Sequence, residues 1–232
     1  MNMLAFYRTT VGKKFVVAAS GLFLLFFVFG HMAGNLKVFA GQSAEGVYKI
    51  DHYAEFLRTF ASDILGEAGF LWIFRALLLV AVVLHIVTII QLRRINKKAR
   101  PLNYKKKKGN MSSFVVDMMF YGGLVLAFFI VFHILHLTVG TLHYDFEHGA
   151  VYSNLYSAFK NPIITIFYVI SVGFLGMHLY HGIWSVGQTL GINSAKTNDM
   201  FQMAAKVLSV VITLGFAAVP VAILTGLLSA PH

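Results

Sequence analysis

The stretch Val169–Ile192, VISVGFLGMHLYHGIWSVGQTLGI, decides how the chain is read. It is apolar enough to cross a membrane, yet it carries His178 and His181 one helical turn apart. An ionisable side chain inside a bilayer is costly and by default marks a functional site. Three further apolar runs carry histidine deep within them: His31, His85, and His133 with His136.

Working outward, 58% of the 232 residues are hydrophobic and 12% are charged, with a mean hydropathy of +0.73. Soluble domains carry about 25% charged residues, so the chain reads as an integral membrane protein. In hydrocarbon every backbone group must be satisfied within its own segment, which demands helices here. Five runs are long enough to span about 30 Å of hydrocarbon: 14–36, 69–92, 114–140, 162–190 and 203–228. The expected fold is all-α, a bundle of five transmembrane helices forming one membrane domain over 1–232, with no room for a soluble catalytic domain. The start of the first run, Lys13-Lys14 and then FVVAASGLFLLFFVFG, imitates a signal peptide. It is too long for one and shows no cleavage site, so it reads as a retained span.

The chain has no cysteine, which excludes disulfides, cysteine-held iron–sulfur clusters and covalent haem attachment. The net charge of +10 is not a nucleic-acid signal. Nine basic residues lie in one loop, Arg93–Lys108 (RRINKKARPLNYKKKK). Arg8, Lys13 and Lys14 precede the first span, and Lys196 and Lys206 lie around the start of the last. These places share one side of a five-span topology. Glu45, Asp51, Glu55, Asp63, Glu67, Asp145 and Glu147 fall on the other. The positive-inside rule then puts the N-terminus in the cytoplasm and the C-terminus outside.

Helix rise assigns heights. His31 lies 17 residues past Lys14, roughly 25 Å from the cytoplasmic edge at 1.5 Å per residue. His133 and His136, 19 and 22 residues into the third span, also fall near the outer face. They share one side of the helix, so at most one is an iron ligand and the other a supporting donor. His85 is eight residues from Arg93, and His178 is 16 residues past Pro162; both fall in the inner half. Thr88 and Gln91 are placed to hydrogen-bond around His85. His143 and His148 read as plain surface histidines, and Met32 and Met177 as packing or lipid-facing residues. Four histidines on four helices thus sort into two layers roughly 10–18 Å apart. Each layer presents two imidazoles across a cavity, which suits bis-histidine ligation of two haem b groups in a bundle core. Imidazole binds metal when neutral, which also removes the cost of a buried charge. A zinc or iron site would need three or four ligands at one point, and a transporter would be expected to carry intramembrane carboxylates.

Four segments carry a family resemblance: ASGLFLLFFVFGHMAGN (Ala19–Asn35), VLHIV (Val83–Val87), FHILHLTVGT (Phe132–Thr141) and MHLYHGIWSVGQTLGI (Met177–Ile192). They resemble the di-haem cytochrome b membrane-anchor subunit of succinate dehydrogenases and fumarate reductases, along all five spans. The resemblance implies that His31 and His133 ligate the distal haem, and His85 and His178 the proximal one. His136 and His181 are then supporting residues, His181 toward a haem propionate. It also implies a flavoprotein subunit and an iron–sulfur subunit docked on the cytoplasmic side of a bacterial inner membrane. Electrons would pass through this subunit to a quinone, menaquinone for anchors of this kind. Glu55 and His52, in the loop after the first span, are the quinone-site candidates. The glutamate that some fumarate reductases carry near the fourth ligand is absent, since Phe174–Met177 holds no acid. The haem b anchor of another respiratory dehydrogenase and a cofactor-free, histidine-bearing transporter are the alternative readings.

Overall fold

The structure, a computed structural model, describes residues 2–99 and 111–231, with side chains described outside 111–117. Arg100 and Lys105–Lys108 of the basic loop lie outside the described residues. Among the described residues there are nine α-helices: α1 (Met3–Arg8), α2 (Thr10–Asn35), α3 (Lys49–Thr59), α4 (Ser62–Leu65), α5 (Gly69–Lys98), α6 (Met111–Ile134), α7 (Val151–Lys160), α8 (Pro162–Thr189) and α9 (Asn198–Leu224), with a 3-10 turn over Leu36–Ala40. Among the described residues no strand forms.

Five segments are long and apolar enough to cross a membrane: Thr10–Ala40, Gly69–Lys98, Met118–Val139, Pro162–Thr189 and Asn198–Leu224. They match the five spans expected from the sequence, and the chain is a multi-pass membrane protein. Their outward faces are mostly apolar, with charged residues such as Lys14, Arg94, Lys97 and Lys98 near the ends and Arg75 exposed within α5. On α5 alone Trp72, Leu77, Leu79, Val80, Val83 and Val87 are exposed. Such a surface has no place in water and suits lipid.

Local chemistry sets the helix limits. Thr9 leaves helical geometry, and its hydroxyl accepts from Gly12 N, capping α2. Gly12 lets α1 fold back, because a Cβ there would meet the Phe6 carbonyl. Asn161 caps α8 by accepting from Ile163 N and Ile164 N, with Pro162 in the first turn, where a missing N–H costs nothing. Lys13, expected ahead of the first span, is buried inside α2. Its ammonium donates to the Tyr7 carbonyl at 2.9 Å and lies over the Tyr7 ring.

Helix α2 packs along α5, and α8 packs along both α6 and α9. Met32, Leu179 and Ile212 join α2, α8 and α9 in a buried cluster at the centre. A second cluster closes the acidic end, where Val38, Ile50, Tyr152, Leu155, Phe159, Tyr168, Val219 and Ile223 meet. Much of it comes from α7, which occupies the second half of the connection between the third and fourth spans. Asn154 anchors this layer, since its side chain accepts from Glu147 N and donates to Glu147 O.

Helix α6 does not end cleanly. Leu135–Val139 form one π-helical turn, and Gly140 closes it at φ +84°. The Phe146 ring fills the space a Gly140 side chain would need. Gly140→Ala therefore meets both a left-handed backbone and a ring. We expect it to destabilise the chain by about 1–3 kcal/mol, read as a lower midpoint of thermal unfolding in detergent by circular dichroism.

Candidate functional site

Each of the four predicted histidines reaches a partner on another helix. His31 of α2 faces His133 of α6, with ring centroids 5.8 Å apart and planes at 79°. His85 of α5 faces His178 of α8, with centroids 6.3 Å apart and planes at 65°. Neither α2 with α6 nor α5 with α8 packs along its length among the described residues. Each pair thus bridges helices that do not close on one another.

The spacing can be compared with a metal held between two imidazoles. Metal–nitrogen bonds of about 2 Å place two opposed ring centroids ~6 Å apart. Both pairs have that separation. Among the described residues no three metal-ligating side chains converge on a point, so the donors come in twos. Nδ1 of His133 and Nδ1 of His178, one in each pair, are buried without a hydrogen-bond partner. Buried polar atoms are nearly always paired, so an unpaired one calls for an explanation. His143 and His181, outside the pairs, share this feature, so it is the spacing that sets the two pairs apart.

The walls differ between the two pairs. His31 stacks on Phe27 at 5.3 Å and lies 5.7 Å from Phe216. His133 lies against Phe129 and Tyr168. These rings make an apolar, water-excluding cage. At the other pair the walls are glycine. A Cβ on Gly21 would sit 3.3 Å from His85 Cε1, and one on Gly123 would sit 3.6 Å from His178 Cε1. Thr88 and Gln91, expected around His85, are instead engaged by the Tyr7 hydroxyl at 3.2 and 3.1 Å. The partner of His85 is Ser20, whose Oγ lies 3.2 Å from Nδ1.

The two accompanying histidines have separate surroundings. His136, in the π-helical turn, is buried, and its Nδ1 lies 2.9 Å from the Tyr168 hydroxyl. It stacks on His143 at 4.9 Å, and His143 Nε2 lies 2.7 Å from Ser157 Oγ. His143 is thus no plain surface residue. His181 lines a recess of about 400 Å³ with Met118, Met119, Gly122, Phe174, Met177 and His178. Its Nδ1 is buried and has no hydrogen-bond partner. Of the two methionines beside histidines, Met32 is buried against Gly215 and Met177 is exposed. His52 and Glu55 sit one turn apart on α3, both exposed, with His52 Nε2 3.3 Å from Ser43 Oγ. Among the described residues no contact joins either to His31 or His133.

Sequence reading missed Ser20, Gly21, Gly123 and Tyr168. One signal pointed to Ser20. It lies 11 residues before His31, nearly three full turns, so both share one face of α2 about 16 Å apart in height. That falls within the roughly 10–18 Å expected between the two histidine layers. Compared with protein-family models, curated proteins and solved structures, the chain matches none.

Two outcomes test this geometry. Gly21→Ala forces the His85 ring to move by a few tenths of an ångström, whereas Gly123→Ala makes ordinary contact. The first should lower the thermal unfolding midpoint in detergent. The second should leave it level or raise it, since alanine gains up to about 1 kcal/mol over glycine in a helix. The other outcome concerns pH. Burial pushes His143 below its ordinary value of 6.5, against the opposing His136 carbonyl and Asp145 charge. The unfolded chain then binds the extra proton below pH 6.5, so this contribution to stability is present above that value. It is lost as pH falls through the folded value. His143→Gln should flatten the decline in unfolding midpoint between pH 7 and pH 5.

Proposed function

We propose that this chain is the di-haem cytochrome b subunit that anchors a succinate:quinone oxidoreductase in a bacterial inner membrane and carries its electrons. The observation behind the reading is the two imidazole pairs, each at a separation suited to a metal between them, inside a five-span bundle. When bound, two haem b groups would supply one-electron carriers between an iron–sulfur chain and a quinone. His31 and His133 would hold the distal group, and His85 and His178 the proximal one. The chain's own work is to keep these imidazoles neutral and facing, and to exclude water. Phe27, Phe129 and Phe216 do so around one pair. Gly21 and Gly123 leave room beside the other. The spans are nearly free of Asp and Glu, with Asp117 near the start of the third and Asp199 near the start of the fifth, which favours an electron carrier over a carboxylate-based transporter.

Partners follow the charge. The basic end, with Arg94, Lys97 and Lys98 exposed, would face the cytoplasm and receive an iron–sulfur subunit and, through it, a flavoprotein subunit. Succinate chemistry would belong to the flavoprotein. Quinone, menaquinone by resemblance, would meet this subunit in the membrane, with Glu55 and His52 on α3 as candidate proton acceptors.

The test is spectroscopic. The purified wild-type chain should show a b-type α band and two haems per chain. His85→Ala and His178→Ala should lose the same haem, and His31→Ala and His133→Ala the other, while His136→Ala keeps both. An intact, folded preparation without haem overturns the reading. Orientation is checked separately, because the chain has no cysteine of its own. A cysteine placed at Glu67 should react with an impermeant maleimide added to intact cells, and one at Lys97 should not.

A further inference from the structure

His85 is held unlike the other three proposed ligands. Its Nδ1 faces a side-chain hydroxyl, Ser20 Oγ, at 3.2 Å. Among the described residues, no side-chain hydroxyl bonds the rings of His31, His133 or His178. Ser20 is itself buried in α2, two turns past the point where the helix passes Lys13. Its Oγ lies 2.7 Å from the Val16 carbonyl and 3.2 Å from that of Val17.

These distances decide where the protons are. Two oxygens 2.7 Å apart need a proton between them, and a carbonyl has none to give. The Ser20 hydroxyl proton is therefore committed to Val16. What remains toward His85 is an oxygen lone pair, which accepts. His85 Nδ1 must carry the hydrogen, and in a neutral imidazole Nε2 is then the bare nitrogen. Gly21, the next residue, has no Cβ, and one placed there would sit 3.3 Å from His85 Cε1. Ser20 thus holds one tautomer of a ring for which Gly21 leaves room.

We propose that Ser20 is a positioning residue that fixes the Nδ1–H tautomer of His85, so that Nε2 is presented toward His178, and tunes the metal centre formed there. This rests on the di-haem reading. A hydrogen bond from the far nitrogen of a ligand imidazole raises its basicity and favours the oxidised metal. The two centres in one bundle are thereby made inequivalent. The inner one has a ligand backed by a hydroxyl. The outer one has ligands backed by aromatic rings.

The experiment compares wild type, Ser20→Ala and Ser20→Thr as full chains in detergent, with His85→Ala marking which spectral component belongs to this pair. In Ser20→Ala we expect that component alone to bind haem about 10–100-fold less tightly and to shift to more positive potential. The other component should be unchanged, and Ser20→Thr should restore both properties. A second measurement needs no haem. Ring ¹⁵N signals of His85, assigned with His85→Gln, should show Nδ1–H in the wild type and a shift toward the Nε2–H form in Ser20→Ala. A haem-loaded wild type whose inner component and ¹⁵N signals are indifferent to Ser20→Ala overturns this inference alone, as do equal shifts in both components. A wild type that binds no haem overturns the di-haem reading and the tuning of a metal centre with it.

Discussion

Four neutral imidazoles, set in two facing pairs between apolar helices, are the constraint on which this structure turns. A histidine in hydrocarbon costs free energy unless its nitrogens find partners. Helices that carry such residues cannot pack by van der Waals contact alone. They must bring polar edges into register. Here α2 meets α6 at one height and α5 meets α8 at another, while lengthwise packing is left to α2 with α5 and α8 with α6 and α9. Among the described residues the histidines bridge helices that do not pack along their length.

The rest of the molecule supports that arrangement from its two ends. At the acidic end α7 lays Tyr152, Leu155 and Phe159 against α8 and α9, and Asn154 ties the loop before it. The π-helical turn after His133 carries His136 toward Tyr168 and away from the His31 pair. At the basic end α1 folds back so that Tyr7 reaches Thr88 and Gln91, one to two turns beyond His85. Residues that could compete for the His85 ring are thus occupied, which leaves its Nδ1 to Ser20. The proposed electron-transfer role needs this division. One set of polar groups satisfies the protein, and another is kept for a bound group.

Much was legible because hydrophobic length and helix rise are local properties. The five spans could be drawn within a few residues of their observed limits, since each is a run whose backbone has no other way to be satisfied in lipid. Other parts were not legible. Helix α7 is short and carries Tyr, Ser and Asn beside its apolar residues, so it resembles a loop until α8 and α9 cover one face. His143 looked like a surface residue because its partners, His136 and Ser157, come from neighbouring turns that only the fold brings together. Lys13 read as a flanking charge because nothing local announces that α1 doubles back over it.

By itself, then, the sequence determined the five-helix membrane architecture and the heights of His31, His85, His133 and His178. Rise per residue does not depend on neighbours. The tertiary structure alone decided the angle and separation at which the paired imidazoles face each other, that His136 turns to Tyr168, and that Ser20 reaches His85. Those outcomes depend on the rotation of each helix about its axis and on its distance from the next, both set by packing between segments far apart in the chain.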